Sequence, residues 1–405
     1  MRWSLGRLRW ILSPSSLQHD HSLTSLRAVE SSCTTTSSRR SLSTVAPPCF
    51  DASRLGLDPT HNRFHAPIVY HEHYSFADWP PNHTFPMDKF EELRKAVLTK
   101  PPHLPRPLVR EESHLYRTLD VEHVPIEWLV EPTGPLDPLF VQRFLDATLS
   151  VEEKRYIGFR EQTDRPELIE RTVLEVAGTI LACQLAWHYG VASNLAGGTH
   201  HAHRSMGAGY TILNDLAVAA NYLTSPTLSP LTMDGIEKVL VIDCDVHQGD
   251  GTAKFSTLHE QGRLVTLSIH CASNYPRPKA HSSIDVGVAD NVQDDEYMDI
   301  LETTVNQALV DHNPDFVLYD AGVDIYEHDK LGRLKVTEDG IRRRDRFVVE
   351  RCVQAGIPVA AVIGGGYDRD VQALARRHAI VHEECAYVWR KYQLWKRNRE
   401  TFPHD

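Results

Sequence analysis

Lys238-Val239-Leu240-Val241-Ile242-Asp243-Cys244-Asp245-Val246-His247-Gln248-Gly249-Asp250-Gly251 begins as an apolar run and ends in a dense set of carboxylates, an imidazole and glycines. A short run without polar interruption reads as a strand buried on both faces, as in a parallel sheet sandwiched between helices. In open α/β sheets the ligand-binding groups lie beyond the carboxyl ends of the strands. The polar cluster after Ile242 falls at such a strand end.

The same pattern recurs along the chain. The run 316–319 precedes Asp320-Ala321-Gly322-Val323-Asp324, and the run 359–363 precedes Gly364-Gly365-Gly366-Tyr367, while 191–195, which also reads as a strand, precedes Gly197-Gly198-Thr199-His200-His201. Residues 68–70 and 264–269 read as further strands. Helical spacing of apolar residues marks 87–98, 167–189, 215–223, 294–310, 338–354 and 371–391. Residues 101–140 are Pro-rich and read as irregular. Strands alternating with helices give an α/β fold of three layers, a central parallel sheet with helices on both faces. The fold then gathers all four polar segments on one rim.

The 405 residues are 41% hydrophobic, enough for a large core, and the net charge of -11 argues against a broad basic surface for direct nucleic-acid binding. Seven Cys without any CxxC spacing argue against a disulfide framework or a Cys-ligated metal. No apolar run reaches the ~18 residues of a membrane span. Residues 1–50 are different: Arg2, Arg7, Arg9, Arg27, Arg39 and Arg40 face only Asp20 and Glu30 among many Ser and Thr. That composition reads as an organelle transit peptide, mitochondrial first and plastid second, with a disordered segment lacking an address as the rival. One catalytic domain is expected over residues 60–398.

Alternate residues of an extended segment point the same way, so Asp245 and His247 can share a metal if the strand continues that far. Asp324 supplies a third ligand from another strand end. One His and two carboxylates leave positions open for water and substrate, as a catalytic metal requires, and suit zinc (Zn2+), with Fe2+ as a substitute. The rival reading has these Asp residues capping helices. His200 and His201 can take a proton from water and return it to a leaving amine, with Asp243 and Asp250 orienting the two rings. Tyr367, behind a Gly run that lets the backbone approach closely, can donate its O–H to a developing oxyanion. His203 and His270 are assigned no role. These are the parts of a metal-dependent amide hydrolase.

In chain order, Gly-Gly-Thr-His-His, Asp-Cys-Asp-Val-His-Gln-Gly-Asp-Gly, Ala-Gly-Val-Asp and Gly-Gly-Gly-Tyr resemble the motifs of the zinc-dependent histone deacetylase superfamily. The Asp-Val-His-Gln-Gly form, with Asn274-Tyr275-Pro276 downstream, is similar to the class IV branch and its bacterial and plant relatives. The resemblance runs from about residue 65 to 390. It implies the arginase/deacetylase-type fold and a hydrolase that removes acetyl or longer acyl groups from lysine. It implies Asp245, His247 and Asp324 as zinc ligands, His200 and His201 as the proton-transfer pair with Asp243 and Asp250 as partners, and Tyr367 as the group polarising the scissile carbonyl. It also implies a structural monovalent cation such as K+ at Asp243, Asp245, His247 and Ser268. Substrate contacts are expected at Gly209, Tyr210 and Tyr275, with Tyr210 standing where many members have Phe, and Asp164 is the candidate for the rim carboxylate. An acylated lysine peptide is the leading substrate. A small acylated amine such as a polyamine, or a non-catalytic binding module on the same fold, are the alternatives.

Overall fold

The computed structural model describes residues 63–101, 103–130, 134–228 and 235–396. The Arg- and Ser-rich residues 1–50 lie outside the described residues. In chain order the regular elements begin with β1 (Ile68–Tyr70), α1 (Lys89–Leu98), β2 (Tyr116–Arg117), α2 (Pro138–Leu145), α3 (Val151–Ile157), α4 (Pro166–Tyr189) and β3 (Val191–Asn194). Next come α5 (Asp215–Thr224), β4 (Val239–Asp243), α6 (Asp250–Ala253), α7 (Ser256–Glu260), β5 (Leu264–Cys271) and β6 (Ile284–Val288). The remainder is α8 (Asp294–His312), β7 (Phe316–Asp320), α9 (Glu338–Gln354), β8 (Val359–Val362) and α10 (Val371–Lys391).

The eight strands form one sheet in the order β2-β1-β3-β8-β7-β4-β5-β6. Every pairing is parallel. Every residue of β3, β4, β5, β7 and β8 is buried. On one face Leu240, Ile242, Leu267, Val317 and Tyr319 pack against Leu301 of α8, Ile341 and Val348 of α9 and Trp389 of α10. The intervening strand residues turn to the other face, where α4 lies against β3 and β8 and against α5. Each layer thus covers apolar surface that the other cannot reach, which is why β4, β7 and β8 are apolar along nearly their whole length.

Helix boundaries follow local chemistry. Thr337 accepts from Gly340 N at the start of α9, and Asp370 accepts from Ala373 N at the start of α10. Ser150 and Glu153 form a reciprocal capping box on α3, and Gly158 closes it with φ 100°. Among the described residues no helix is long and apolar enough to cross a membrane.

Two expectations change, and the sheet has one edge strand more than the sequence reading placed. The Pro-rich stretch contains β2, an edge strand too short to leave a periodic signature, and the helix α2. β6 is the added edge strand, in which Ile284, Val286 and Val288 alternate with the exposed Asp285 and Gly287, as a half-covered strand does. β4 ends at Asp243, so Asp245 and His247 do not sit on a continuing strand. The turn after β4 is shaped instead by hydrogen bonds from Cys244 N to Asp320 O and from Val246 N to Asp324 Oδ1.

Candidate active site

β3, β8, β7 and β4 are consecutive in the sheet, and their carboxyl ends deliver the four polar segments to one rim. Register sets the neighbours: Asp243 stands beside Asp320 on β7 and beside Ser268 on β5.

The loop after β3 crosses close to the loop after β8. Gly198 has φ 87°, and a Cβ there would lie 2.6 Å from Gly364 Cα, so only glycine fits the crossing. Asp215, fully buried at the start of α5, then clamps the loop. It accepts from Gly198 N (3.1 Å), Thr199 N (2.8 Å), Thr199 Oγ1 (2.6 Å) and Thr179 Oγ1 (2.7 Å). That clamp aims the two following imidazoles. His200 Nδ1 lies 2.8 Å from Asp243 Oδ2, and His201 Nδ1 lies 2.7 Å from Asp250 Oδ1. The two ring centroids lie 4.1 Å apart with the planes tilted by 55°.

The environments of these rings drive their protonation in opposite directions. Burial disfavours charge on His200, but Asp243, Asp245 and Asp320 around it outweigh that and hold its pKa well above the usual value. Burial, reinforced by the positive charge of His200, lowers His201 to about 3 against the pull of Asp250. Asp250 resists burial through hydrogen bonds from His201 and His203 and stays well below the ordinary carboxylate range.

Asp245, His247 and Asp324 meet with His247 Nδ1 at 3.1 Å from both Asp245 Oδ1 and Asp324 Oδ2. All three are buried. The outer carboxylate oxygens are held by backbone: Asp245 Oδ2 accepts from Gly365 N (2.7 Å) and Asp324 Oδ1 from Val246 N (2.8 Å). Burial lowers and the two carboxylates raise His247, with a net rise to about 10, while burial and then Asp245 push Asp324 up to about 7. One nitrogen and two carboxylates that share a proton-bridged cluster fit a divalent ion, which neutralises the charge that burial penalises. A Cβ on Gly365 would overlap both carboxylates, so the glycine keeps the space between them clear.

Tyr367 follows that glycine turn and is buried, its N donating to Asp329 Oδ2 at 2.7 Å. Burial raises its pKa well above the usual value, so the hydroxyl stays a donor. Its ring lies between Tyr210 (6.1 Å) and His247 (6.5 Å). Among the described residues no protein group hydrogen-bonds its hydroxyl, and the residue lines a cleft shared with His200, His201, Asp245, His247 and Tyr210.

The expected substrate residues frame this cleft. Gly209 and Tyr210 both have positive φ (55° and 64°) in a turn closed by an Ala208–Thr211 bridge. Tyr210 N donates to Ile157 O at 2.7 Å, and its ring packs on Phe159, Phe85 and His83. Tyr275 stands against the His201 ring with centroids 4.8 Å apart and is 40% exposed. Asp164 is taken by Lys154 Nζ in an ion pair. Ser268 Oγ lies 3.0 Å from His270 Nδ1.

Four supporting residues escaped the sequence reading. Asp215 carries the loop clamp just described. Arg344 is fully buried and donates to the carbonyls of Cys244 (3.2 Å), Ala321 (3.0 Å) and Gly322 (2.6 Å), tying two ligand-bearing turns together. Lys89 Nζ donates to Gly364 O at 3.1 Å, and burial lowers its pKa to about 8. Asp320 lies behind His200, with Oδ2 at 3.8 Å from Nδ1. Neither of its oxygens has a hydrogen-bond partner among the described residues. Asp320 stood in a quoted motif and ends a strand, which was the available signal. Asp215, Arg344 and Lys89 lie on helices far along the chain from the motifs they serve.

Comparisons with known proteins bear on the family and the fold. A sequence profile of the histone deacetylase domain matches residues 137–383. An uncharacterised protein of Picosynechococcus sp. is 36% identical over 80% of this chain and 99% of its own length. Histone deacetylase 2 of Arabidopsis thaliana is 33% identical over 49% of this chain, which spans 51% of that protein. The acetoin utilization protein AcuC of Bacillus subtilis is 30% identical over 49% of this chain and 53% of its own. The crystal structure of the HDA15 HD domain superposes with a TM-score of 0.57 at 17% identity, covering 82% of this chain and 96% of that one, which supports the fold. With the profile spanning most of the sheet and its rim motifs, this chain belongs to the histone deacetylase family.

Proposed function

We propose that the chain is a metal-dependent deacylase that hydrolyses N-acyl amides of lysine side chains, acetyl first among them. The observation that supports it is the convergence, in one cleft, of a His/Asp/Asp cluster, two imidazoles each backed by a carboxylate, and a tyrosine hydroxyl that meets no protein partner among the described residues. Asp245, His247 and Asp324 would hold zinc, or iron(II) in its place. A divalent ion there, when bound, supplies Lewis acidity toward a carbonyl and lowers the pKa of water.

The protein groups then divide the remaining work. His201 Nδ1 faces Asp250, which leaves Nε2 to take the proton of the attacking water and pass it to the departing amine. His200, kept cationic by Asp243, sets a positive charge beside the reacting carbon. Tyr367 donates its O–H as negative charge builds on the substrate oxygen. Tyr210 and Tyr275 flank the acyl-lysine stem. Water and the amide yield a carboxylic acid and an amine.

The test is turnover by zinc-loaded protein on acetyl-lysine peptide, longer acyl-lysine peptides and an acetylated polyamine, before and after chelation. Acetyl-lysine hydrolysis lost to chelator and restored by zinc supports the reading, and preference for the polyamine moves the substrate class to small amines. A metal-replete protein that turns over none of them is a binding module.

Three further proposals accompany this one. The class IV-like motif form suggests kinship with that branch. A monovalent cation such as K+ would sit near Asp243 and Ser268, and potassium-dependent activity tests it. Residues 1–50 would be a mitochondrial or plastid address before a catalytic domain of 60–398. A reporter fused to residues 1–50 that stays diffuse in the cytosol refutes the address. Deleting the segment should leave an active enzyme.

A further inference from the structure

Asp250 has two carboxylate oxygens and a different imidazole on each. Oδ1 lies 2.7 Å from His201 Nδ1, and Oδ2 lies 3.1 Å from His203 Nε2. His201 and Asp250 are buried, whereas the His203 side chain is 12% exposed and reaches the edge of the site. The segment that carries His203 is pinned on both sides. Ala202 O accepts from Asn214 Nδ2 at 2.9 Å, and His203 N donates to Met206 O at 2.8 Å. His203 is therefore a fixed group on the far side of the carboxylate that orients His201.

We propose that His203 is a positioning residue, which by donating from Nε2 to Asp250 Oδ2 fixes the carboxylate so that Oδ1 accepts from His201 Nδ1. This rests on the deacylase reading, in which His201 moves the proton through Nε2. A carboxylate held at one oxygen can rotate about its Cβ–Cγ bond, and an imidazole that loses its acceptor can tilt or change tautomer. A second donor on the opposite oxygen removes that freedom, as outer partners do for imidazoles at metal sites. Asp250 remains anionic between two imidazoles. The pair of contacts thus orients rather than passes a proton through the carboxylate. His203→Gln separates this from a surface imidazole with no role, because the Gln amide can donate to Oδ2 without titrating.

The experiment uses the zinc-loaded full chain and two variants, His203→Ala and His203→Gln. Loss of an outer partner of this kind typically costs ~10- to 100-fold. His203→Ala is expected to lower kcat by about 10-fold or more with KM and metal content unchanged, and His203→Gln to recover most of the loss. With 15N-histidine labelling, the His201 Nδ1 proton, assigned by its absence in His201→Ala, should give a downfield line. That line should broaden or shift upfield in His203→Ala and return in His203→Gln. Wild-type kcat in His203→Ala, an equal loss in both variants, or an unmoved Nδ1 line overturns the proposal. If the wild-type protein hydrolyses no acyl substrate, the deacylase reading fails, and the Nδ1 line alone still decides whether His203 positions Asp250 and His201.

Discussion

Replacing Tyr367 with Phe isolates one hydrogen bond. Among the described residues the hydroxyl meets no protein partner, while the backbone of Tyr367 is held by Asp329 and the ring by its neighbours. Removing it leaves no protein group unsatisfied, so the stability change should stay within about 0.5 kcal/mol. The chemical step is different. A donor aimed at a developing oxyanion is worth about 2.7–4 kcal/mol, so kcat should fall roughly 100- to 1000-fold with metal content unchanged. Because the interaction is made only as charge develops, KM should change little. Tyr367→Ala is the contrast, since it also empties ring volume and should cost about 3–5 kcal/mol of stability. Single-turnover hydrolysis of an acetyl-lysine peptide, with metal analysis and thermal melts of both variants, provides the measurement. Near wild-type turnover in Tyr367→Phe refutes the role of the hydroxyl.

Gly365→Ala should abolish metal binding, because its Cβ would overlap Asp245 Oδ2 and Asp324 Oδ2; full zinc occupancy by metal analysis would contradict the assignment of the cluster. Arg344→Leu removes the donor shared by three buried carbonyls and takes from Asp345 its charged partner, leaving it the Tyr319 hydroxyl. It should destabilise by about 3–5 kcal/mol, read by urea unfolding. His65 and His382 are buried and neutral, with burial lowering them to about 4 and about 3. The unfolded chain binds a proton at each near pH 6.5 and the native one does not, so their contribution is complete above pH 6.5 and is lost as pH falls below it. His382→Gln should reduce the slope of stability against pH between 6 and 4 by about 1.4 kcal/mol per unit, measured by urea unfolding in that range.

β4, β7 and β8 were legible because burial on both faces favours continuous apolar runs, β3 less so because it carries Ser193 and Asn194, and α9 and α10 kept the boundaries their periodicity predicts. β2 and β6 were not. An edge strand is covered on one side at most and needs no such run: residues 116–117 are too few to show a period, and 284–288 alternate instead. Asp245 and His247 do lie together with Asp324, but not through alternation along a strand, since β4 stops two residues short of Asp245 and Asp324 shapes the turn from outside.

The sequence by itself determined the layered α/β fold, the four rim segments and the chemical types they carry, because each follows from local pattern: an apolar run, a glycine turn, and carboxylates and imidazoles directly after them. Tertiary structure alone decided which carboxylate faces which imidazole, and which distant groups hold those faces. Asp215 clamps a loop that precedes it by 14 or more residues, Arg344 binds carbonyls 22 to 100 positions away, and His203 shares Asp250 with His201. Such pairings depend on the direction of single side chains once the sheet has closed. A hydrogen bond is directional over tenths of an ångström, whereas the periodicity that folds the chain records only which residues are buried.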